Sequence, residues 1–453
     1  MENNKIKNMT EGSPIKLILL FWGPLFIGML FQQFYNMMDA MIVGRTIGPS
    51  ALAAVGGTGS INFMIIGFCM GVCNGFAIPV AQAVGSKNEV LLRKYVANSV
   101  WLSIVFAVIS TVVVCVLCRS ILIWMDTPSD IIEGSYDYIF VIFLGIPVVY
   151  LYNLLSGILR SLGDSKTPLF FLMISSLLNI VLDLGTILIL GMGVEGAAWA
   201  TVISQAISGI LCLLYIAKKY PVLKISKEEW KPDIQCTKKL CLMGLPMGLQ
   251  YSITAIGSVI LQTAVNSLGS VAVASITAGN KISQIFCCPF EAMGSTMATY
   301  AGQNRGAGKM DRVTAGIKSC SIIALVYSVI ACIILTTYGR QLTLLFVDGE
   351  EIEIIKNSVT LLKWLSLFYF PLALVYIVRF AIQGLGYGTL AIFAGVFEMI
   401  ARGIVGFVFV PMLGFIAACF ASPLAWVMAD MFLIPAYILI IRKLKREVIP
   451  MSL

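Results

Sequence analysis

The chain has 453 residues, of which 59% are hydrophobic and 12% charged, with a mean hydropathy of +0.93. A water-soluble protein of this length carries roughly 25% charged residues, so an ordinary soluble domain is excluded. The sequence contains no histidine, which removes histidine proton relays, most zinc sites and histidine-activated nucleophiles together.

Apolar runs of about 20 residues recur from end to end, as in a polytopic helical membrane protein. The first, from Ile15, is too long for a signal-peptide core and lacks a small-residue cleavage signature, so it reads as a retained span. In chain order the spacing predicts about twelve helices, near 15–43, 51–84, 95–118, 136–159, 168–190, 194–217, 240–267, 272–302, 313–337, 358–383, 389–411 and 415–441. Most of the twelve cysteines, among them Cys69, Cys73, Cys115, Cys212, Cys287 and Cys288, sit inside these runs and read as small hydrophobes, not disulfide or metal partners.

Basic residues set the orientation. With the N-terminus cytoplasmic, most of the 31 Lys and Arg fall on the inner side, from Lys5 and Lys7 to Arg442–Arg446. The outer side receives Arg45, Arg119, Arg340, Lys356 and Lys363. Both termini are therefore expected in the cytoplasm of a multi-pass cell-membrane protein. The net charge of +8 reflects topology, with no nucleic acid partner implied.

The two halves match in order. Pro24 and Val43 align with Pro246 and Val265; Gly48, Ile61 and Gln82 align with Gly269, Ile282 and Gln303; Leu162 and Gly163 align with Leu385 and Gly386. A shift of about 222 residues spans six helices, an even number, so the halves are parallel repeats related by a pseudo-two-fold along the membrane normal. The expected organisation is an all-α protein with a first lobe at 1–217, a polar cytoplasmic linker at 218–239 and a second lobe at 240–453. A substrate cavity between rocking bundles follows from that arrangement.

Five acids fall inside spans: Asp39, Asp183, Glu291, Glu398 and Asp430. Each costs roughly 2.5–3.5 kcal/mol at a helix centre on insertion scales, so each is a functional candidate, against the plainer reading of a structural pair. Asp39 and Asp183 lie roughly 6 and 10 Å below the outer ends of the first and fifth helices, and Thr201 on the sixth is at a similar depth of ~10 Å. Tyr35 and Asp39 share one helix face, as do Asn179 and Asp183. Oxygen ligands at one level suit a proton or a hard monovalent cation, whose occupancies compete. In the second lobe Glu398 and Arg402 are spaced for an intrahelical ion pair. By the repeat register Arg402 stands where Asn179 stands, and Gly406 replaces Asp183. The pair reads either as structural or as a fixed guanidinium in place of an exchangeable cation. Lys281, Glu291 and Asp430 have no assigned partner and read either as structural or as substrate-facing, and Arg379 has no assigned role.

Pro24, midway along the first helix, permits a bend that is either static or a hinge moving Asp39. Phe34, Met37 and Met38 beside the acid read either as packing or as an adaptable drug-contacting surface.

The segments "YNMMDAMIVGRTIGPSALAAV", "GILRSLGDSKTP", "GVEGAAWATVISQ" and "GQNRGAGK" resemble, in order and across nearly the whole chain, multidrug and toxic compound extrusion (MATE) transporters. The resemblance implies a bacterial two-lobe antiporter, with no cofactor, that exports cationic amphipathic compounds against an H+ or Na+ gradient. DinF-like members resemble this chain at Tyr35, Asp39, Asn153, Asn179, Asp183 and Thr201, which line their N-lobe cation and proton pocket. That similarity implies a coupling site here, with Na+ at Asp39 and Asp183 as the one metal to consider, and a chain acting as a monomer. NorM-like members carry acids on the seventh and tenth helices; here the seventh has none and the tenth offers Arg379. Two alternatives stand beside the exporter. A lipid-linked oligosaccharide flippase would be expected to carry basic cavity residues, where the first lobe offers acids. An intramembrane enzyme would need a motif such as HExxH or paired GxGD-like aspartates, and neither occurs.

Overall fold

The computed structural model describes residues 8–125 and 127–448, apart from the side chains of Ala40 and Pro49. Lys5 and Lys7, counted above on the cytoplasmic side, lie outside the described residues. Helices account for nearly all of it, and no strand occurs among the described residues. Twelve helical segments run in chain order. They are α1 (Pro14–Thr46), a short Pro49–Gly57 helix leading into α2 (Gly59–Gly85), α3 (Glu89–Trp124), α4 (Ile132–Leu144 with Ile146–Ser161), α5 (Lys166–Leu184), α6 (Val194–Lys219) and α7 (Ile234–Asn266). They continue as α8 (Ser270–Gly306), α9 (Met310–Thr343), α10 (Ile352–Leu367 with Tyr369–Gly384), α11 (Gly388–Ile404) and α12 (Phe415–Val448).

Among the described residues nine helices are long and apolar enough to cross a membrane, and eleven when the bent pairs α4 and α10 each count as one span. The remaining segment, α8, has 37 residues but is too polar to count with them. The breaks in α4 and α10 bend the chain by 46° and 50°. Each second segment begins with a proline close behind, Pro147 or Pro371, whose missing N–H is harmless in a first helical turn.

Each half repeats the same backbone devices. Positive φ occurs at Gly48 and Gly269, Lys87 and Gly308, Gly163 and Gly386, and Gly191 and Gly414, pairs that follow the repeat register. Ser135 donates to the Ala54 carbonyl at 3.0 Å, and its counterpart Ser358 donates to the Ser275 carbonyl at 2.9 Å. Both α5 and α11 run into π-helical turns, Gly185–Ile189 and Val405–Phe409.

The chain divides into two compact units. One contains Gly23–Tyr251; the other joins Met9–Trp22 to Ser252–Leu453. In the second unit the buried Met9 donates its N–H to Gln303 Oε1 at 2.8 Å, and the Thr10 carbonyl accepts from Lys309 Nζ at 3.0 Å, so the "GQNRGAGK" turn holds the start of the chain. The division crosses α1 just ahead of Pro24 and crosses α7 beyond Pro246. In the first unit the "GILRSLGDSKTP" motif turns at Gly163. Asp164 then accepts from the Lys166 and Thr167 backbone N–H groups, the Thr167 hydroxyl and the Tyr220 hydroxyl, which starts α5 and ties it to the end of α6.

The linker packs on α3. Arg93 pairs with Glu229 at 2.9 Å, Lys94 with Asp233 at 3.3 Å, and Trp101 donates to the Trp230 carbonyl at 3.0 Å. The Ser226 backbone N–H and the Arg93 guanidinium hold the Glu229 carboxyl below its usual range; the Cys236 N–H and Lys94 do the same for Asp233. Carboxyls depressed in this way stabilise the docked linker above their unfolded values, and that contribution fades as pH falls through the folded ones. Hydrogen exchange should therefore show the 225–236 stretch losing protection selectively as pH drops into the carboxylate range. Unchanged protection there would count against the ion pairs as its anchor.

Two glycines set how closely α2 approaches the start of α7. A Cβ at Gly75 would lie 2.5 Å from Gly244 Cα, and one at Gly71 would lie 2.5 Å from the Met247 carbonyl oxygen. Backbone cannot yield there as a side chain would, so Gly75→Val should cost about 3 kcal/mol or more. Thermal unfolding in detergent should show a markedly lowered Tm. Wild-type stability would mean that the close approach is dispensable.

Candidate functional site

The first unit brings together most of the acidic and polar residues picked out by depth and periodicity. Tyr35 and Thr201 hydroxyls meet at 2.9 Å, and Asn179 Nδ2 donates to the same Thr201 oxygen at 3.3 Å. Asp39 is 8% exposed and Asp183 is fully buried. Among the described residues no N–H or hydroxyl donates to either oxygen of Asp183, to Asp39 Oδ1 or to Asn179 Oδ1. The two carboxyls are near enough to act on each other electrostatically. Two buried carboxylates so placed repel each other, and a proton on one or a cation beside both relieves that.

Local structure places these groups. The i, i+4 spacing puts Tyr35 one turn before Asp39 on α1 and Asn179 one turn before Asp183 on α5, each pair on one face. Two residues after Asp183 the π-helical turn begins, and the Thr186 hydroxyl donates to the Leu182 carbonyl at 2.9 Å. Such turns leave a helix locally widened and occur often at functional positions. Tyr138 on α4, which sequence reasoning passed over, is buried within electrostatic reach of Asp39, Tyr35 and Asp183. Its signal was weak, for it follows Ser135, Tyr136 and Asp137 at the polar start of an otherwise apolar run. Asn153 stands apart from these contacts: its Nδ2 donates to the Val149 carbonyl of its own helix at 2.9 Å. Phe34, Met37 and Met38 are exposed beside Asp39, and Pro24 lies within the continuous helix α1.

The second unit holds a charged cluster larger than the expected pair. Glu398 binds Arg402 at 3.5 Å through one oxygen and Arg379 of α10 through the other. All three are less than a tenth exposed, as is Asp430 on α12, which acts electrostatically on Arg379 and Glu398. Arg379, which had no assigned partner, therefore belongs to this cluster. Arg402 Nη1 sits where a side chain at Gly257 would be, 3.3 Å from the place of its Cβ. By the repeat register Gly257 is the counterpart of Tyr35. Glu291 is half-buried on α8, apart from the cluster, and Lys281 on the same helix is exposed.

The donors in the first unit are carboxyl, amide and hydroxyl oxygens, a hard set that fits a proton or Na+ and offers nothing to a soft metal. Among the described residues no group of three or more His, Cys, Asp or Glu side chains could hold a metal ion.

Comparison with known proteins places this architecture. The MatE family model matches residues 24–184 and 246–427, more than half of the chain and both of its halves. The chain is 28% identical over 360 residues to the "Probable multidrug resistance protein YoeA" of Bacillus subtilis, covering 78% of this chain and 77% of that protein. It is 27% identical over 364 residues to the "Probable multidrug resistance protein NorM" of Thermotoga maritima, covering 79% and 77%. Among solved structures, MATE in complex with MaL6 superposes with a TM-score of 0.92 at 23% identity, covering 98% of this chain and 100% of that one. A MOP superfamily transporter from Pyrococcus furiosus gives 0.92 at 22% identity, with the same coverage. These likenesses carry the two-lobe fold, and the family match carries the class: the chain belongs to the MatE family of multidrug efflux transporters, which are membrane proteins and not enzymes.

Proposed function

We propose that this protein is a secondary antiporter that exports cationic amphipathic organic compounds in exchange for H+ or Na+, coupled through the pocket of Tyr35, Asp39, Asn179, Asp183 and Thr201. The observation that carries the reading is the set of buried oxygens without a donor at Asp39, Asn179 and Asp183. In a medium without water such oxygens are costly, and a proton or small cation relieves them. The mutual repulsion of the two neighbouring carboxylates adds to that cost, and either ion relieves it. The same residue set supports grouping with the DinF-like branch over the NorM-like one. Asn153 acts at most indirectly, through α4.

In this reading both termini are cytoplasmic, the chain works as a monomer, and lobes 1–217 and 240–453, joined by 218–239, alternate access by rocking. Pro24 is the hinge of α1; the change of unit membership beside it supports that role. Phe34, Met37 and Met38 offer adaptable contacts to the exported molecule. In the second lobe Arg402 is a fixed cation at the place where the first lobe exchanges one, so only the first lobe switches.

The test is transport in proteoliposomes under an imposed proton or sodium gradient. Asp39→Asn should cut gradient-driven export by at least about tenfold, the scale of one lost coupling term. Undiminished driven transport in that variant would sink the pocket as the coupling site. Glu398→Gln should leave two buried guanidiniums uncompensated and cost roughly 3–5 kcal/mol of stability, read as a loss of folded protein on heating in detergent. If Glu398→Gln is as stable as wild type and keeps full coupling, the fixed-cation role of Arg402 is wrong.

A further inference from the structure

The last helix gathers its charges at one end. From Phe415 to Ile441 the one charged residue is the buried Asp430; Arg442, Lys443, Lys445 and Arg446 then follow almost without interruption. Lys445 pairs with Asp311 at the start of α9. Arg442, Lys443 and Arg446 are exposed, and among the described residues no carboxylate lies within ion-pair distance of them. Other basic residues assigned to the same side are compensated by the chain. Arg93 and Lys94 pair with Glu229 and Asp233, and Arg312 donates to Asn304.

The three unpaired side chains surround a cleft of about 420 Å³, together with Leu439 and Glu447. Glu447 lies in the field of Arg305 at the end of α8, so the cleft stays net positive. Helical spacing sets Met431, Pro435 and Leu439 on the stripe that runs into Arg442, Lys443 and Arg446. Met431 is 72% and Leu439 66% exposed, whereas Tyr437, Ile440 and Leu444 on the other face are buried. The Tyr437 hydroxyl meets that of Thr314 on α9 at 3.1 Å, which fixes which face of α12 is turned outward.

Setting the orientation of a span requires only basic residues near its end. It requires neither a shared face nor a cleft, and the repeat does not require them either. The shift of about 222 residues carries Lys219, the last residue of α6, to position 441. There the first half leaves its helix, and Tyr220 bonds to Asp164. In the second half α12 runs on to Val448, and that added length carries the three cations.

We propose that the cleft of Arg442, Lys443 and Arg446 at the end of α12 is a binding site for an anionic phospholipid. The two guanidiniums and the ammonium hold the phosphate, which suits the planar fork of arginine, at the level where the apolar part of the helix ends. One acyl chain lies along Leu439, Pro435 and Met431, an apolar stripe that a free anion has no use for. The site is independent of the coupling pocket, which lies in the other unit.

The experiment titrates the full-length protein in detergent with dioleoylphosphatidylglycerol or dioleoylphosphatidylethanolamine and measures bound lipid by native mass spectrometry. Wild type should hold its first phosphatidylglycerol at least about tenfold more tightly than phosphatidylethanolamine. Arg442→Gln combined with Arg446→Gln should weaken that phosphatidylglycerol about twenty-fivefold, or about fivefold for each cation, and leave phosphatidylethanolamine unchanged. The pair Arg442→Lys and Arg446→Lys should keep most of the preference. Lys218→Gln with Lys219→Gln removes the same charge from the end of α6 and should change neither lipid. Leu439→Asp should weaken phosphatidylglycerol as well, and millimolar inorganic phosphate should not displace it. No preference between the lipids in wild type would overturn the site. So would an equal loss in the α6 and α12 variants, which would mean diffuse attraction to positive charge. Displacement by inorganic phosphate would overturn it in favour of a free-anion site. The wild-type comparison and the phosphate competition need no altered protein, so they decide the matter even where the glutamine pair does not fold.

Discussion

A bilayer interior offers no water, so every ionisable group placed there must find its compensation inside the protein. Each unit answers that constraint differently. In the first, Asp39 and Asp183 are set near each other with no donor among the described residues. In the coupling proposed above the missing partner arrives from outside, as a proton or a small cation, and its arrival would give the pocket a reason to change state. In the second, Glu398 is saturated by two guanidiniums, and Asp430 lies in their field. Nothing there waits for an ion in the same way, because the compensation is covalently attached.

The contrast is sharper because the backbones correspond. Tyr35, Asn179 and Asp183 become Gly257, Arg402 and Gly406 by register, and the changes are mutually dependent. Arg402 fits because Gly257 leaves its place free, and no acid faces it from position 406. Restoring one first-unit residue in the second would therefore clash or leave a charge unpaired, so the two sets are alternative solutions and not a gradual drift. Proposed coupling through one lobe follows from this asymmetry.

Much of the fold was legible because a membrane helix needs only a long apolar run, and eleven of the twelve expected spans meet that condition alone or as a bent pair. The exception, α8, was found because a run with a polar stripe still contains enough Ile, Phe and Met to read as apolar on average. Asp39, Asp183, Asn179 and Thr201 came out together because depth along a straight helix is one-dimensional arithmetic. That arithmetic fails across a break. Asn153 and Tyr138 lie on either side of the bend in α4, and neither could be placed by counting from a helix end. Arg379 follows the corresponding bend in α10, so its contact with Glu398 was out of reach, although the lack of an acid at its position was noticed. The π-helical turns leave no periodic signature at all.

Those turns also bear on how the two units came to differ in chemistry on a shared frame. One begins two residues after Asp183 and the other three residues after Arg402, in corresponding stretches of α5 and α11 but three residues out of step by the repeat register. Asp183 therefore lies two residues ahead of the first turn, whereas its counterpart Gly406 is already inside the second. A widened turn that forms around both is not created by the carboxyl, nor by an ion bound to it. The backbone therefore widens in the corresponding helix of each half whatever the side chain, and in the proposed reading the side chains decide whether the place receives an exchangeable charge or is closed by an arginine. A change of charge such as Asp183→Asn should therefore leave the turn in place, so that in the proposed reading it probes transport and not merely folding.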